Sequence, residues 1–522
     1  MASDIHAART CLSEAGTVRW GMRQGRQEKE SHVSKKATRA RRPAPDAGPA
    51  GEVVPPIGDA TRHTHRLSLT ERRELGREAR KLTPRGVHGV WQPAPDRPDP
   101  IALLRSDDPT RVQDLVPIRW GRMSVSPFTY FRGSAAVMAA DLGPLPRTTL
   151  FVQLCGDAHV SNFGLFASPE RALLFDVNDF DETLPGPFEW DVKRLAASAV
   201  IAARDFGFTD EAGREAAMSA ARSYREHMTT FAQMSRLEVW YSRVGIEDFQ
   251  AVIARAGKGK LVRSAGKAVG AVEQKARTRT SLQALSKLAE LVDGQRRIIE
   301  APPLVMHLPI GQDELKRMVH QAFVDYRRTL EDDRRVLLEG YTLVDVALKV
   351  VGVGSVGTRS LIVLLEGRDG DDPLFLQAKE AGRSVLEAHL GKARHTNGGH
   401  RVVAGQRLMQ AASDIFLGWI RGTGADHRDF YFRQLRDMKG SFEHAARPEG
   451  LSLYCGICGW TLARAHARSG DAIAISAYLG NGDRFDRAIA DFSVTYADQM
   501  ERDFEQLTKA IASGKVPAQT GV

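Results

Sequence analysis

Two hydrophobic rhythms alternate along the chain. From Ser68 the stretch SLTERRELGREARKL reads as a charged, capped helix that the following Thr-Pro-Arg-Gly ends. Between 146 and 182 the pattern changes to the strand-like runs FVQLCGDAHVSNFGLF and ALLFDVNDFDE, joined through Gly, Asn and Asp. After Pro185-Gly186-Pro187, the run EWDVKRLAASAVIAAR places Val192, Leu195, Ala196 and Ala199 at helical spacing. Much of 208–300 continues as helix. β-type sequence returns over 341–380 in YTLVDVALKVVGVG, SLIVLLEG and PLFLQAKEA. GRSVLEAHLG then predicts a helix, and DIFLGWIRG with DFYFRQL a second hairpin. The last sixty residues, including LARAHARSG and FDRAIADFSVTYADQMERDFEQL, return to helix. The pattern is helical, then β-rich, then helical again, with no internal repeat.

Composition narrows the classes. A chain of 522 residues predicts more than one core, and 42% hydrophobic with 26% charged residues excludes wholesale disorder. The longest apolar runs, such as Leu195–Ala203, fall well short of the ~20 residues of a membrane span. The opening MASDIHAARTCLSEAG lacks the apolar core of a secretory signal, and four cysteines cannot staple a fold of this size, so a reducing, cytoplasmic setting is expected. A net charge of +9 allows an anionic partner without choosing one. The first sixty residues, with the basic cluster Lys35–Arg42 followed by PAPDAGPAGEVVPPIG, read as a solvated flexible tail; a nucleic-acid arm is the alternative.

The strongest chemical signal is Gly156-Asp157-Ala158-His159-Val160-Ser161-Asn162, followed by Asp179-Phe180-Asp181-Glu182. Phosphoryl transfer needs a carboxylate beside the attacking hydroxyl and oxygen ligands that hold Mg²⁺ on the phosphates. An Asp with an Asn five residues later, then a further Asp after a short strand, supplies base and metal ligands in the order a kinase catalytic loop uses. Asp157 and Asn162 alone are equally well explained as turn-forming residues; the acids after the apolar strand favour function.

The stretch from Leu154 to Ser198 resembles the catalytic half of the aminoglycoside phosphotransferase and choline kinase group of the protein-kinase-like superfamily. Those enzymes show a Gly-Asp-x-His-x-x-Asn loop, an Asp followed by an aromatic and an acid, then a Gly-Pro and an Asp opening a helix. This chain has GDAHVSN, NDFDE and GPFEWDVKRLA. The resemblance implies that Asp157 is the catalytic base, that Asn162 and Asp179 bind metal, and that Asp191 holds the loop; Asp181 is a third metal candidate, supporting or sharing that duty. Cys155 stands where many relatives have His. From about Arg119 to Met500 the chain more specifically resembles a bacterial family named only as domain of unknown function 2252, which brings no activity with it.

A second motif is Gly352-Val353-Gly354-Ser355-Val356-Gly357. A dinucleotide site would need a helix directly after it, whereas Thr358–Leu365 reads as strand, the setting of a phosphate-covering glycine hairpin. Gly352, Gly354, Ser355 and Gly357 are therefore candidate nucleotide contacts. Lys379, at the end of PLFLQAK, is placed to neutralise the phosphates, with Glu387 to pair with it. In kinases this hairpin precedes the catalytic loop; here it follows it. The expectation is an α+β, two-lobed, kinase-like fold that is circularly permuted, with extra helices: a tail over 1–60, a helical catalytic lobe over 61–300, a β-rich nucleotide lobe over 301–445, and helices over 446–522 completing the catalytic lobe. Its function would be ATP- and Mg²⁺-dependent transfer to a hydroxyl of an unknown acceptor, with nucleotidyl transfer open to the same site. The alternative is a non-catalytic nucleotide-binding or interaction protein, tethered to nucleic acid by its tail.

Lesser features read as structural. Cys455-Gly-Ile-Cys458 has no second pair for zinc and predicts two reduced thiols. His159 packs or orients its loop, His63 and His65 are solvated, and Phe188 and Trp190 cover the core. Arg119, Arg122 and Arg132 pair with surface carboxylates, an anionic substrate being the alternative.

Overall fold

The computed structural model describes residues 67–255, 260–279, 281–307, 312–422, 427–435, 438–440 and 447–522. The tail over 1–60, His63 and His65 lie outside them, as do Arg436 and Asp437 after the second hairpin. The charged helix after Ser68 forms over Leu69–Leu82. The Ser68 hydroxyl accepts from the Glu71 N–H, and the Glu71 carboxylate accepts from the Ser68 N–H.

Five helices carry the main core and the site: α1 Glu189–Asp205, α2 Asp210–Phe231, α3 Gly398–Met409, α4 Pro448–Ser469 and α5 Arg484–Ala512. All but the last two residues of α1 are buried. Its run of alanines, from Ala196 to Ala203, presents little bulk, so helices approach it on several sides. α2 crosses α4 at Gly459, where an added Cβ would fall 2.1 Å from the Ala220 carbonyl oxygen. Phe188, Tyr224, Tyr478, Phe485 and Phe492 fill the same core, which thus joins helices before 231 to helices after 447.

Strands form in two groups. β1 Phe151–Leu154 pairs with β4 Leu184–Pro187, and β2 Phe163–Ala167 with β3 Leu173–Val177, all antiparallel. β4, with the sequence LPGP, escapes any strand pattern because two of its four residues are proline. A hairpin of β5 Ala289–Val292 and β6 Gln295–Ile298 precedes a six-stranded antiparallel sheet. The sheet comprises β7 Val305–His307, β8 Thr342–Lys349, β9 Ser360–Glu366, β10 Pro373–Glu380, β11 Gly418–Arg421 and β12 Asp429–Gln434, in the order β11-β12-β10-β9-β8-β7. Val363 and Leu365 enter one core with Tyr326 and Phe432, while Ile362 and Leu364 enter another with Ala284 and Leu285. Burial on both faces explains why these strands read as continuous apolar runs.

The fold is mixed α+β, with two differences from the sequence reading. Helix Ser281–Leu288 and strand β6 pack on the sheet through Ala284, Leu285 and Ile298, so the β-rich unit begins near 281 instead of 301. The helix predicted in GRSVLEAHLG is a single turn, Glu387–Leu390, ended by Gly391 at φ +92°. The longer helix there is α3, capped by the Asn397 side chain on the His400 N–H. Its paired glycines hid it. Among the described residues no helix is long and apolar enough to cross a membrane.

The α2–α4 crossing gives a direct test. Gly459→Ala should destabilise the protein by about 1–3 kcal/mol in denaturant unfolding, because backbone must move to admit the methyl group. Gly450→Ala, on the same helix with nothing within 4 Å, should be neutral or gain up to ~1 kcal/mol.

Candidate active site

The loop after β1 is held from below by α1. Asp191 in the first turn accepts the Cys155 N–H at 2.8 Å and the Gly156 N–H at 3.0 Å, and His466 Nε2 lies 3.2 Å from its carboxylate. Gly156 sits at φ +85° with a Cβ position 2.4 Å from the Glu182 carbonyl oxygen, so no larger residue fits this turn. Further along, the Val160 N–H donates to the Ser198 hydroxyl and Tyr454 donates to the Val160 carbonyl.

This anchoring presents Asp157 and Asn162. Asp157 Oδ1 accepts from Arg194 Nε at 2.9 Å and lies 2.7 Å from Arg194 Nη2; that guanidinium also donates to the Phe131 carbonyl and lies over the Phe131 ring. Burial pushes the Asp157 carboxyl up to about 6 against the pull of Arg194. Asn162 donates its Nδ2 to the Asp157 carbonyl at 2.7 Å, which leaves its Oδ1 as the ligand end. His159 is buried beside Asp157, with Nε2 at 3.7 Å from Oδ2, and burial drives it well below its ordinary value, so it is neutral.

β3 leads to the acidic segment, where the sheet meets it. Lys379 Nζ, from the end of β10, donates to Asp181 Oδ2 at 2.5 Å and lies 3.9 Å from Asp179 Oδ2. Asp181 Oδ1 accepts from Tyr431 at 2.7 Å. The Lys379 side chain is 3% exposed. Burial opposes its charge, but Asp179 and Asp181 hold it above its ordinary value, and Lys379 with Tyr431 keeps Asp181 below its own despite burial. The buried Arg401 on α3 ties the same junction by donating to the carbonyls of Thr183, Asp181 and Gly382.

Asp157, Asn162, Asp179, Asp181, Glu387, Gly352, Gly354 and Ser355 line one cavity of about 850 Å³. Lys379 reaches it only through the two aspartates, Asp191 lies beneath its floor, and Gly357 packs behind it on the Arg111 side chain. The glycine segment joins antiparallel β8 and β9 with no helix after it. One pairing differs from the expectation. Glu387 forms no ion pair with Lys379; it accepts from the Ser384 N–H, because its helix is one turn and the lysine is already taken by Asp181. Asp181 accepts from Lys379 on one oxygen and from Tyr431 on the other, so it anchors the lysine at the edge of the cavity. Asp179, whose side chain is 36% exposed, and Asn162 offer hard oxygen donors that suit Mg²⁺ completed by phosphates. Among the described residues no cluster of three or more His, Cys, Asp or Glu side chains is arranged to hold a metal by itself.

Several contributors carry little or no sequence signal. Arg194 lies one turn beyond Asp191 in the same helix, a spacing that could have flagged it. Tyr431 and Arg401 carry no local signal, since only pairing of β12 with β10 and the packing of α3 bring them in. Arg119 is buried on Asp108, and Arg122 donates to the Gly352 carbonyl, so neither is a surface pair. Cys455 and Cys458 are buried on α4, and burial pushes the Cys455 thiol up to about 12.

A family described as an uncharacterized protein conserved in bacteria, DUF2252, matches residues 111–510. The chain belongs to this family. Neither curated proteins nor solved structures give a match. The DUF2252 match begins at Arg111 and so takes in the residues that back the glycine segment as well as both motifs.

The DUF2252 site has a pH signature. Burial raises Glu182 to about 7, against Arg401 and the Val385 N–H that lower it. The folded state therefore binds this proton more tightly than the unfolded chain, and its contribution to stability is lost as pH rises from about 4.5 through 7. Glu182→Gln should remove that loss: its melting temperature relative to wild type should increase between pH 5 and pH 8, measured by scanning calorimetry.

Proposed function

We propose that this protein is an ATP- and Mg²⁺-dependent phosphotransferase acting on a hydroxyl acceptor, built on a circularly permuted kinase-like fold. The observation that carries the reading is the Lys379 ammonium at 2.5 Å from Asp181 and 3.9 Å from Asp179, in a cleft the glycine segment also lines. Two stretches some two hundred residues apart thereby meet at one cleft, which supports the reading. Permuted wiring is supported at the end of α4. In the phosphotransferases that helix leads into the catalytic loop; here Ser469 Oγ accepts from the Gln153 N–H at 3.0 Å, and Gly470 packs on the Phe151 carbonyl. The helix end and the loop strand are neighbours in space without being consecutive in sequence.

In this reading Asn162 and Asp179 hold Mg²⁺, which neutralises and orients the phosphates. The amides of the glycine segment cover them, and Lys379, steadied by Asp181, adds positive charge at the base. Asp157 Oδ2 orients the acceptor hydroxyl and takes its proton late in transfer, while Arg194 fixes the carboxylate through Oδ1. One observation favours a second reading, a non-catalytic nucleotide-binding protein: Arg194 already contacts Oδ1 with two nitrogens.

Two measurements decide. ATP with Mg²⁺ should raise the melting temperature more than either alone; no shift with both together rejects the nucleotide site. Asp157→Ala should lower turnover by about 10²–10⁴-fold while keeping ATP affinity, and wild-type turnover should rise with pH through about 6 as the Asp157 carboxyl ionises. Turnover unchanged in Asp157→Ala removes the base. ADP as product identifies phosphoryl transfer, whereas AMP or pyrophosphate identifies nucleotidyl transfer.

A further inference from the structure

The glycine segment is backed by a third element, outside both the helical core and the sheet. Arg111 Nη1 donates to the carbonyls of Gly354 at 2.9 Å and Val356 at 2.6 Å, and the Val112 N–H donates to the Gly357 carbonyl at 2.8 Å. The Arg111 stem lies under Gly357, where an added Cβ would meet its Cβ at 3.0 Å; the residue is at φ +90°. Arg122 Nη1 takes the Gly352 carbonyl at 2.7 Å, and its Nε takes the carbonyl of the last residue, Val522. Four carbonyls of the segment are thus drawn onto one side.

Arg111 does more than brace. It lines the cavity beside Asp157 and Asp179, while Arg122 does not. Both of its loop contacts use Nη1, and its buried Nε has no hydrogen-bond partner. Asp107, Asp108, Glu182 and Glu380 act on it through space, yet none forms an ion pair with it among the described residues. A guanidinium that faces a cavity with half its fork unused, and no contacting carboxylate, matches an anion that two N–H groups can grip.

Resting on the nucleotide reading above, we propose that Arg111 is a phosphate ligand: it grips the polyphosphate of the bound nucleotide through the two N–H groups of Nη2 while Nη1 holds the glycine segment in place. Arg122 is a positioning residue for the same segment. The polyphosphate then lies between Arg111 and the Asp179 side of the cleft, where Lys379 adds positive charge from behind the aspartates.

The test compares binding of ATP, inorganic tripolyphosphate and adenosine to the full chain by calorimetry, with Mg²⁺ present. Arg111→Met should lower affinity for ATP and tripolyphosphate by about 10-fold or more and leave adenosine affinity unchanged, so the ATP-to-adenosine ratio collapses. Arg122→Met, which loses only bracing of the segment, should reduce that ratio less than Arg111→Met does, and an equal reduction in the two variants assigns Arg111 bracing alone and overturns the proposal. A ratio unaltered in Arg111→Met, or equal losses for ATP and adenosine, overturns the assignment while leaving the nucleotide site standing. Wild-type protein that binds neither ATP nor tripolyphosphate overturns both. If Arg111→Met does not fold, Arg111→Lys decides: keeping the charge without the fork, it should still reduce the ratio by about 3-fold or more, and an undiminished ratio refutes the proposal.

Discussion

The buried contact of Lys379 with Asp181 and Asp179 is the constraint around which the rest is arranged. A lysine with 3% of its side chain exposed cannot keep its charge unless carboxylates face it. The sheet that carries it must therefore dock where the acidic segment lies. Breaking such a pair leaves an uncompensated buried charge, at a typical cost of about 3–5 kcal/mol. Arg401, Tyr431 and Arg433 share the junction: the first binds carbonyls of the acidic segment, the second donates to Asp181, and the third donates to the Asn178 carbonyl. These donors come from α3 and β12, so the sheet and its helix are committed to the acidic loop as one unit.

A matching logic runs beneath the catalytic-type loop. Asp191 gathers two consecutive N–H groups and a histidine that is itself hydrogen-bonded to Tyr224, which places α1, α2 and α4 under one short turn. These contacts explain why α1 is so uniformly buried despite Glu189, Asp191, Lys193 and Arg194: each polar group has a partner close by, the Lys193 ammonium lying over the Phe492 ring. Glu189 accepts from Thr148, Arg194 serves Asp157, and burial lowers Lys193 to about 8. Membership of the DUF2252 family extends over both motifs and the arginine-bearing segment that backs the glycines, so all three elements that meet at the cleft lie within the matched span.

Much of the fold was legible because its signals are local. The strands β8, β9 and β10, helices α1 and α5, and the capped helix after Ser68 follow from apolar spacing and end signals. β4, α3 and the β5–β6 hairpin did not, for reasons peculiar to each. β4 is half proline and pairs only because β1 lies beside it. α3 opens on two glycines and gains its order from packing under β11 and β12. The hairpin's residues are mostly exposed and charged, so alternation is masked until Ile298 and the preceding helix find the sheet.

For the site, the sequence by itself determined the chemical inventory: an Asp and Asn at catalytic-loop spacing, acids after a strand, a glycine-rich turn between strands and a lysine ending the next one. Those are short-range patterns, set by backbone needs such as the left-handed turn at Gly156. Which carboxylate meets Lys379 was decided by tertiary structure alone, because Asp181 and Glu387 lie 198 and 8 residues from it and only docking of the sheet chooses between them. The same holds for Arg194 on Asp157 and Arg111 behind the glycines. Long flexible side chains find partners through space, and a single sequence records their presence but not where their charged ends come to rest.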